Sequence, residues 1–291
     1  MKVNYDEMMK LCNEKEEFRA KTETVDGIDV TIFSYMVAFT DTFDSELAKE
    51  FRGIVFRNDT KECICRPFPK FFNVGERAET QDNQINWEKT SFYVKHDGSM
   101  ATPVLLDNKI FWKTKNSFYS DVAIKIQAFW DRETAKRNTS FMCTEFLTTC
   151  LQRCNFTPIF EYVAPHNQIV LPYKHEELKY LGFREIDTGI FWPSKKNLST
   201  VSKEEIVGLE NIEGFVGYDQ NQLFKIKTRW YMDRHKICTE FNPKIIIQAS
   251  LDETIDDLIG VAAQLGLMEQ KVRMENLRDE TLAMKLEIRT Q

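Results

Sequence analysis

Lys95 stands in the run SFYVKHDGSM (residues 91–100), at the end of an alternating apolar stretch and just before Asp97-Gly98. An Asp-Gly pair is a strong turn signal, so one reading is a solvated lysine leading into a hairpin. The other is a nucleophile, an amine held at a strand end with Asp97 and Gly98 opening space beside it. A lysine pair, Lys225 and Lys227, lies in LFKIK. On a strand this spacing puts both ammonium groups on one face and Phe224 and Ile226 on the other. Two like charges so placed repel unless a polyanion or water lies between them, although edge strands often carry such lysines. Glu213-Gly214 opens the preceding strand and brings a carboxylate close by. Glu161 interrupts the apolar run TPIFEYV, with Ile159 and Val163 as its same-face neighbours. A carboxylate there either sits at a rim or needs a cation, a metal or hydrogen-bond donors. Arg52 begins another strand ahead of a glycine, and Lys113 and Lys115 repeat the i, i+2 pattern in FWKTKNS.

These side chains need rigid carriers. Through residue 130, VTIFSYM, RGIVFR, SFYVKH and KIFWKTK are short alternating runs of β-branched and aromatic residues, the pattern of strands. SDVAIKIQAFWDRETAKR places Val122, Ile126 and Phe129 at helical spacing and predicts a helix across the sheet. Strands resume with TPIFEYV, QIVLPY, KYLGFREI, GFVGY and LFKIKTRW. After about residue 243 the period changes. Ser250-Leu-Asp-Glu253 is a capping-box signal, followed by Ile255, Leu258, Ile259 and Ala262 on one helical face, and Gly266 can end that helix. Leu267, Met274, Leu277, Met284 and Ile288 then mark the buried face of a second helix. The expected organisation is an α+β body over residues 1–243 and a small helical C-terminal domain over 244–291.

At 291 residues, 42% hydrophobic and 12% aromatic, the chain has the composition of an ordered globular protein. No apolar run approaches the roughly 18 residues that span a bilayer, and the start, MKVNYDEMMKLCNEKEE, is too polar for a signal peptide, so a cytoplasmic protein is expected. Seven scattered cysteines and four histidines show no zinc-like spacing, which favours reduced thiols. The net charge of −6 hides a local basic seam, FKIKTRWYMDRHK (224–236), with five Lys or Arg against one Asp. Such a seam on an acidic body suits a protein that grips phosphates in one place.

Taken in order, KHDGS, FEYV, EGFV and KIK, each on a predicted strand, resemble the covalent nucleotidyltransferases, ligases and capping enzymes that use a lysine–nucleotide intermediate. More narrowly, FRGIVF, CRPFPKFFNVGE, YVKHDGS, FWKTKNS, IFEYVAPHNQIVLPY and NIEGFVGYDQNQLFKIKTRWY resemble the RNA ligase 1 family of T-even bacteriophages, from about residue 30 to about 240. The resemblance implies an α+β nucleotidyltransferase (ATP-grasp-like ligase) domain and an ATP-dependent RNA ligase using Mg²⁺ (or Mn²⁺). Its partners would be RNA 5′-phosphate and 3′-hydroxyl ends, in RNA repair that includes tRNA, and the expected state is monomeric.

It also implies roles. Lys95 would carry AMP, and Lys225 and Lys227 would contact the α-phosphate. Arg52, Lys70, Phe72, Gly98, Lys113, Lys115 and Glu161 would form the nucleotide pocket. Glu213, Glu161 and Asp97 would orient water around the metal, and Asp256, in the pair Asp256-Asp257, falls near an acidic position at the start of that family's helical domain. An amine attacks only when neutral, and a free lysine is so about one time in a thousand near pH 7.4; neighbouring cations and desolvation favour that form. A DNA ligase or an mRNA guanylyltransferase shares this chemistry but normally adds an OB-fold, which needs five strands. The 64 residues after Lys227 read mainly as two helices. A non-catalytic RNA-binding relative is the rival of a different class, and covalent labelling by ATP separates it.

Overall fold

The computed structural model describes residues 1–291 apart from 40, 136–143, 220–221, 241–242, 252–254, 256–258, 260–267 and 291. The chain divides into two compact units. The first comprises Met1–Gln168, Pro172–Val201 and Phe215–Ile226. The second takes in Ile169–Leu171 and Ser202–Gly214 and begins its C-terminal part at Lys227, not at residue 244.

Helices α1 (Tyr5–Glu14), α2 (Glu46–Lys49), α3 (Asp121–Ala135) and α4 (Thr144–Gln152) belong to the first unit. Its strands form three sheets. One has the order β1-β2-β3-β4, with β1 Phe18–Val25, β2 Ile28–Tyr35, β3 Arg52–Arg57 and β4 Cys63–Cys65. The others use β5 (Phe72–Asn73), β6 (Ser91–Lys95), β7 (Ser99–Leu106), β8 (Lys109–Lys113) and β9 (Phe156–Val163). They also use β10 (Glu177–Glu185), β11 (Phe191–Pro193), β12 (Leu198–Ser199), β13 (Gly214–Tyr218) and β14 (Leu223–Lys227). Their orders are β12-β6-β13-β14-β5 and β11-β10-β9-β7-β8. In the described registers pairing is antiparallel, except that β14 runs parallel to β5.

Two Asp-Gly pairs behave differently. Asp26 and Gly27 have φ of 52° and 83° and close the β1–β2 hairpin, where a tight two-residue turn needs positive φ at both positions. Asp97-Gly98 makes no hairpin, because β6 and β7 belong to different sheets and the pair carries the chain from one to the other. Gly98 is required there by space. A Cβ on it would lie 2.3 Å from the Tyr162 carbonyl oxygen of β9, the strand that pairs with β7.

Aromatic residues dominate the cores. Phe33, Phe43, Phe51, Phe56 and Phe72 pack with Met8 of α1 beneath the first sheet. Trp112, Phe160 and Tyr162 pack with Ile126, Phe129 and Trp130 of α3, the helix expected from its spacing. Phe68, Phe71, Ile159 and Phe191 form a smaller cluster. A buried ion group ties the segment before Arg52 to the third sheet. Glu50 accepts from Arg66 at 2.7 Å and from both terminal nitrogens of Arg184 at 2.7 Å.

Three expectations change. Residues 168–173, the QIVLPY run, form no strand: Pro172 denies a ladder bond, and Val170 alone is buried. The strand through Lys225 ends at Lys227, and Arg229 begins α6 (Arg229–Glu240). Ser250 is no N-cap. It lies inside α7 (Pro243–Leu251), with its hydroxyl donating to the Ile246 carbonyl at 2.7 Å.

The second unit contains α5 (Lys203–Ile206), α6, α7 and α8 (Met268–Thr290). Met274 and Thr281 are buried on α8, while Met284, placed by its spacing on the buried face, is 53% exposed. Ile255 and Ile259 are buried as expected. Asp256 and Asp257, with Leu258, Ala262, Gly266 and Leu267, lie outside the described residues.

Candidate active site

Lys95 is the last residue of β6, and Lys225 is central in β14, two strands away in the same sheet. Lys225 lies in the field of Arg52, Lys70 and Lys95. Burial, then those three cations, pushes its ammonium down to about 7, against the opposing pull of Glu76. Five chain segments therefore deliver charge to one neighbourhood: β3, the strand-free stretch before β5, the loop after β5, the end of β6, and β14.

Aromatic rings hold these cations where no counter-ion is needed. The Phe71 ring lies 5.3 Å from the Arg52 guanidinium and 5.1 Å from the Lys225 ammonium. Lys70 is caged by Tyr35 at 5.3 Å, Phe43 at 5.3 Å and Phe72 at 5.5 Å. Lys115 stands 3.8 Å from the centre of the Tyr35 ring and donates to the Tyr35 carbonyl at 3.4 Å. A cation over a ring face gains about 0.5–2 kcal/mol, so rings fix ammonium groups without neutralising them. Arg52 also donates to the Pro69 carbonyl at 3.3 Å.

The acidic members are few. Glu161, on β9, shares a field with Arg52, whose protonation burial weakens and Tyr35 and Glu161 support. Its cross-strand partners are Met100 and Lys179. Burial would raise the Tyr35 phenol, but Lys115, Lys70 and Arg52 together hold it below its ordinary value. Burial would likewise raise Glu76; donors from Asn73, then Lys225 and Lys70, hold it low. Asp97 is buried, and its backbone N–H donates to the Tyr173 hydroxyl at 3.1 Å.

The structure thus brings together Lys95, Lys225, Arg52, Lys70, Lys115 and Glu161. It does not bring Lys113 with them. That side chain is 0% exposed and donates to the Gly53 carbonyl at 2.8 Å, backing the strand that carries Arg52. Phe72 is buried too, forming the rear wall of the Lys70 cage, and Gly98 serves the β7–β9 approach. Glu213 and Lys227 belong to the second unit, where they form an ion pair at 3.1 Å with Lys227 also 4.9 Å from the Tyr231 ring of α6. Tyr35, Phe43, Phe71 and Glu76 escaped the sequence reading. An aromatic flanking each cationic position was the signal available.

Among the described residues no group of three His, Cys, Asp or Glu side chains is arranged to hold a metal ion directly. The oxygen donors of Asp97, Glu161 and Glu213 suit a hard cation that keeps its waters and is held partly by substrate phosphates.

With that geometry in hand, comparison with known proteins is informative. A family model described as RNA ligase matches residues 50–204, which carry Arg52, Lys70, Lys95, Lys115 and Glu161. The chain is 28% identical, over 94% of its length and 75% of the other's, to a protein of Thermovibrio ammonificans assigned as an RNA ligase. It is 24% identical to RNA ligase 1 of bacteriophage TS2126, covering 82% of this chain and 64% of that one, so it spans under two thirds of the phage protein. An archaeal ATP-dependent RNA ligase superposes over 97% of this chain and 78% of its own with a TM-score of 0.51 at 12% identity, a likeness of fold. Among the described residues no helix is long and apolar enough to cross a membrane.

Proposed function

The chain belongs to the RNA ligase family, and from that premise we propose that it joins RNA ends at the expense of ATP through an AMP carried on Lys95. The observation that carries the reading is the convergence of Lys95, Lys225, Arg52, Lys70 and Lys115 on one neighbourhood beside Glu161. A chain gathers five cations with so few acids only where a polyanion completes them, and a nucleoside triphosphate has the charge and size to do so.

The chemistry proceeds in three displacements. The neutral Lys95 amine attacks the α-phosphorus of ATP, the bond to the bridging oxygen breaks, and pyrophosphate leaves. AMP remains as a phosphoramidate. An RNA 5′-phosphate oxygen then attacks the same phosphorus and releases the lysine, giving a 5′-adenylylated end. A 3′-hydroxyl finally attacks the RNA phosphate and expels AMP, forming the phosphodiester. Lys225 and Arg52 neutralise charge on the α-phosphate, and Lys70 and Lys115 hold the outer phosphates. Lys227, the next same-face residue after Lys225, adds a cation as pyrophosphate departs. Glu161 orients the ribose side. A divalent cation, Mg²⁺ or Mn²⁺, held through water by Asp97, Glu161 and Glu213, supplies further charge neutralisation on the phosphates.

Incubation with α-labelled ATP and a divalent cation should leave label on the wild-type chain. Lys95→Ala should carry none. Lys95→Arg should carry none either, because arginine keeps the charge but does not lose its proton in a protein. Normal labelling of either variant would remove Lys95 from its role.

A further inference from the structure

The segment that follows Tyr35 breaks the usual surface pattern. Met36, Val37 and Phe39 are 55%, 49% and 61% exposed, three large apolar side chains within four residues. The backbone beneath them is tied down. The Met36 N–H donates to the Glu17 carbonyl at 2.8 Å, and the Phe39 N–H donates to the Thr42 hydroxyl at 2.8 Å. Thr42, fully buried, donates in turn to the Glu17 carboxylate at 3.1 Å. The Phe39 carbonyl accepts from Arg77 at 3.3 Å, and the Arg77 guanidinium covers the Phe72 ring at 4.8 Å. An anchored loop that still displays its apolar groups is built to offer them.

Its position says to what. Tyr35, the residue before the loop, is the ring that carries Lys115 and Lys70. Phe72 links Lys70 to Arg77, and Arg77 holds Phe39. The apolar lip therefore stands at the edge of the cationic cluster, with Arg77 between. The acid nearest in sequence with a described partner, Asp44, is paired with Lys15 at 2.9 Å, which leaves the cations to set the local potential. Exposed aromatic faces beside a positive groove are how proteins grip single-stranded nucleic acid: phosphates follow the cations and bases stack on the rings.

We infer that Phe39, flanked by Met36 and Val37, stacks on a base near the RNA end being joined, while Arg77 contacts the adjoining phosphate. This rests on the ligase reading and adds an RNA subsite to it. The test compares wild type with Phe39→Ala and Phe39→Trp, each first shown by thermal melting to be folded. The substrates are 5′-phosphorylated oligoribonucleotides, intact or with one abasic nucleotide at each of the first few positions from either end. Phe39→Ala should raise the KM for RNA about tenfold, within what loss of one base–aromatic stack costs, and leave the KM for ATP within about twofold. Phe39→Trp should restore RNA binding. One abasic position should cost wild type the same factor and cost Phe39→Ala nothing further, a coupling that a merely structural role would not produce. An unchanged KM for RNA overturns the inference. So does a parallel rise in the KM for ATP, which would give the lip to the adenine, or a change in sedimentation, which would make it a contact between two copies. Absence of label on the wild-type chain with ATP would instead sink the ligase reading itself.

Discussion

Lys113 and Lys115 look equivalent in sequence, and the structure separates them by one physical fact. Strand β8 ends at Lys113, so the two-residue period that would put both on one face stops there. Lys113 turns inward, where burial holds its ammonium below the ordinary lysine range, and its hydrogen bond goes to Gly53. Gly53 itself has φ of 95° and no room for a Cβ, which would lie 2.6 Å from the Lys115 carbonyl oxygen. Lys115 emerges over Tyr35 among the phosphate-binding cations. Two different losses follow. Lys115→Ala should raise the KM for ATP in the labelling reaction while leaving the thermal midpoint within about two degrees, as surface changes usually do. Lys113→Ala should lower the midpoint by several degrees, because it leaves a buried carbonyl without its donor at a cost of about 1–3 kcal/mol.

Among elements, the segment that presents Arg52 depends on the ion group just before it. Glu50 is 5% exposed and takes three charge-assisted bonds from Arg66 and Arg184. Burial alone would raise its carboxyl, but Arg184 and then Arg66 hold it below the usual range. Arg66 also donates to the Met1, Ile186 and Asp187 carbonyls, so the N-terminus, the start of β3 and the β10–β11 connection meet at one carboxylate. Glu50→Gln leaves two buried guanidinium groups uncompensated. Removing one partner of such a group typically costs about 3–5 kcal/mol, so the denaturation midpoint should fall sharply. Phosphate affinity should suffer as well, because Arg52 follows two residues later. A variant as stable as wild type by denaturant titration would show that water replaces the carboxylate without cost.

The molecule as a whole should be pH-sensitive in a direction set by its gathered cations. The pKa values of Lys225, Lys113, Lys115 and Arg52 are all lowered on folding, chiefly by burial. The folded state therefore binds protons less tightly than the unfolded chain, and stability rises with pH from about 7, where Lys225 titrates. Bound triphosphate reverses the balance by favouring charged Lys225. ATP binding at pH 7.5 should accordingly take up protons, visible as a binding enthalpy that depends on the ionisation enthalpy of the buffer. Lys225→Met should abolish most of that uptake; equal uptake in both proteins would locate the proton elsewhere. The second unit should matter less to the first chemical step. Glu275 sits one helical turn from Lys271, paired at 3.3 Å on α8, an arrangement worth about 0.3–0.5 kcal/mol. Glu275→Lys should label within about twofold of wild type.

Local pattern alone determined the carriers: strands at RGIVFR, SFYVK and TPIFEYV and the helix from Asp121 were legible because alternation and helical period report burial directly. The order of KHDGS, FEYV, EGFV and KIK pointed to a nucleotidyltransferase, since a lysine nucleophile needs cations and carboxylates from separate strands. Side-chain surroundings lay beyond it. No spacing rule says that one Asp-Gly pair closes a hairpin while another carries the chain between sheets, because that depends on which strand each neighbour pairs with. Nor could period reveal the aromatic cage of Lys70, the inward turn of Lys113, or the Glu50 ion group, whose members are 16 and 134 residues apart in sequence. Those contacts are made across sheets, where packing geometry decides which groups meet and leaves no trace in local order. The strand ends at Lys113 and Lys227 were decided the same way, by where ladder partners ran out.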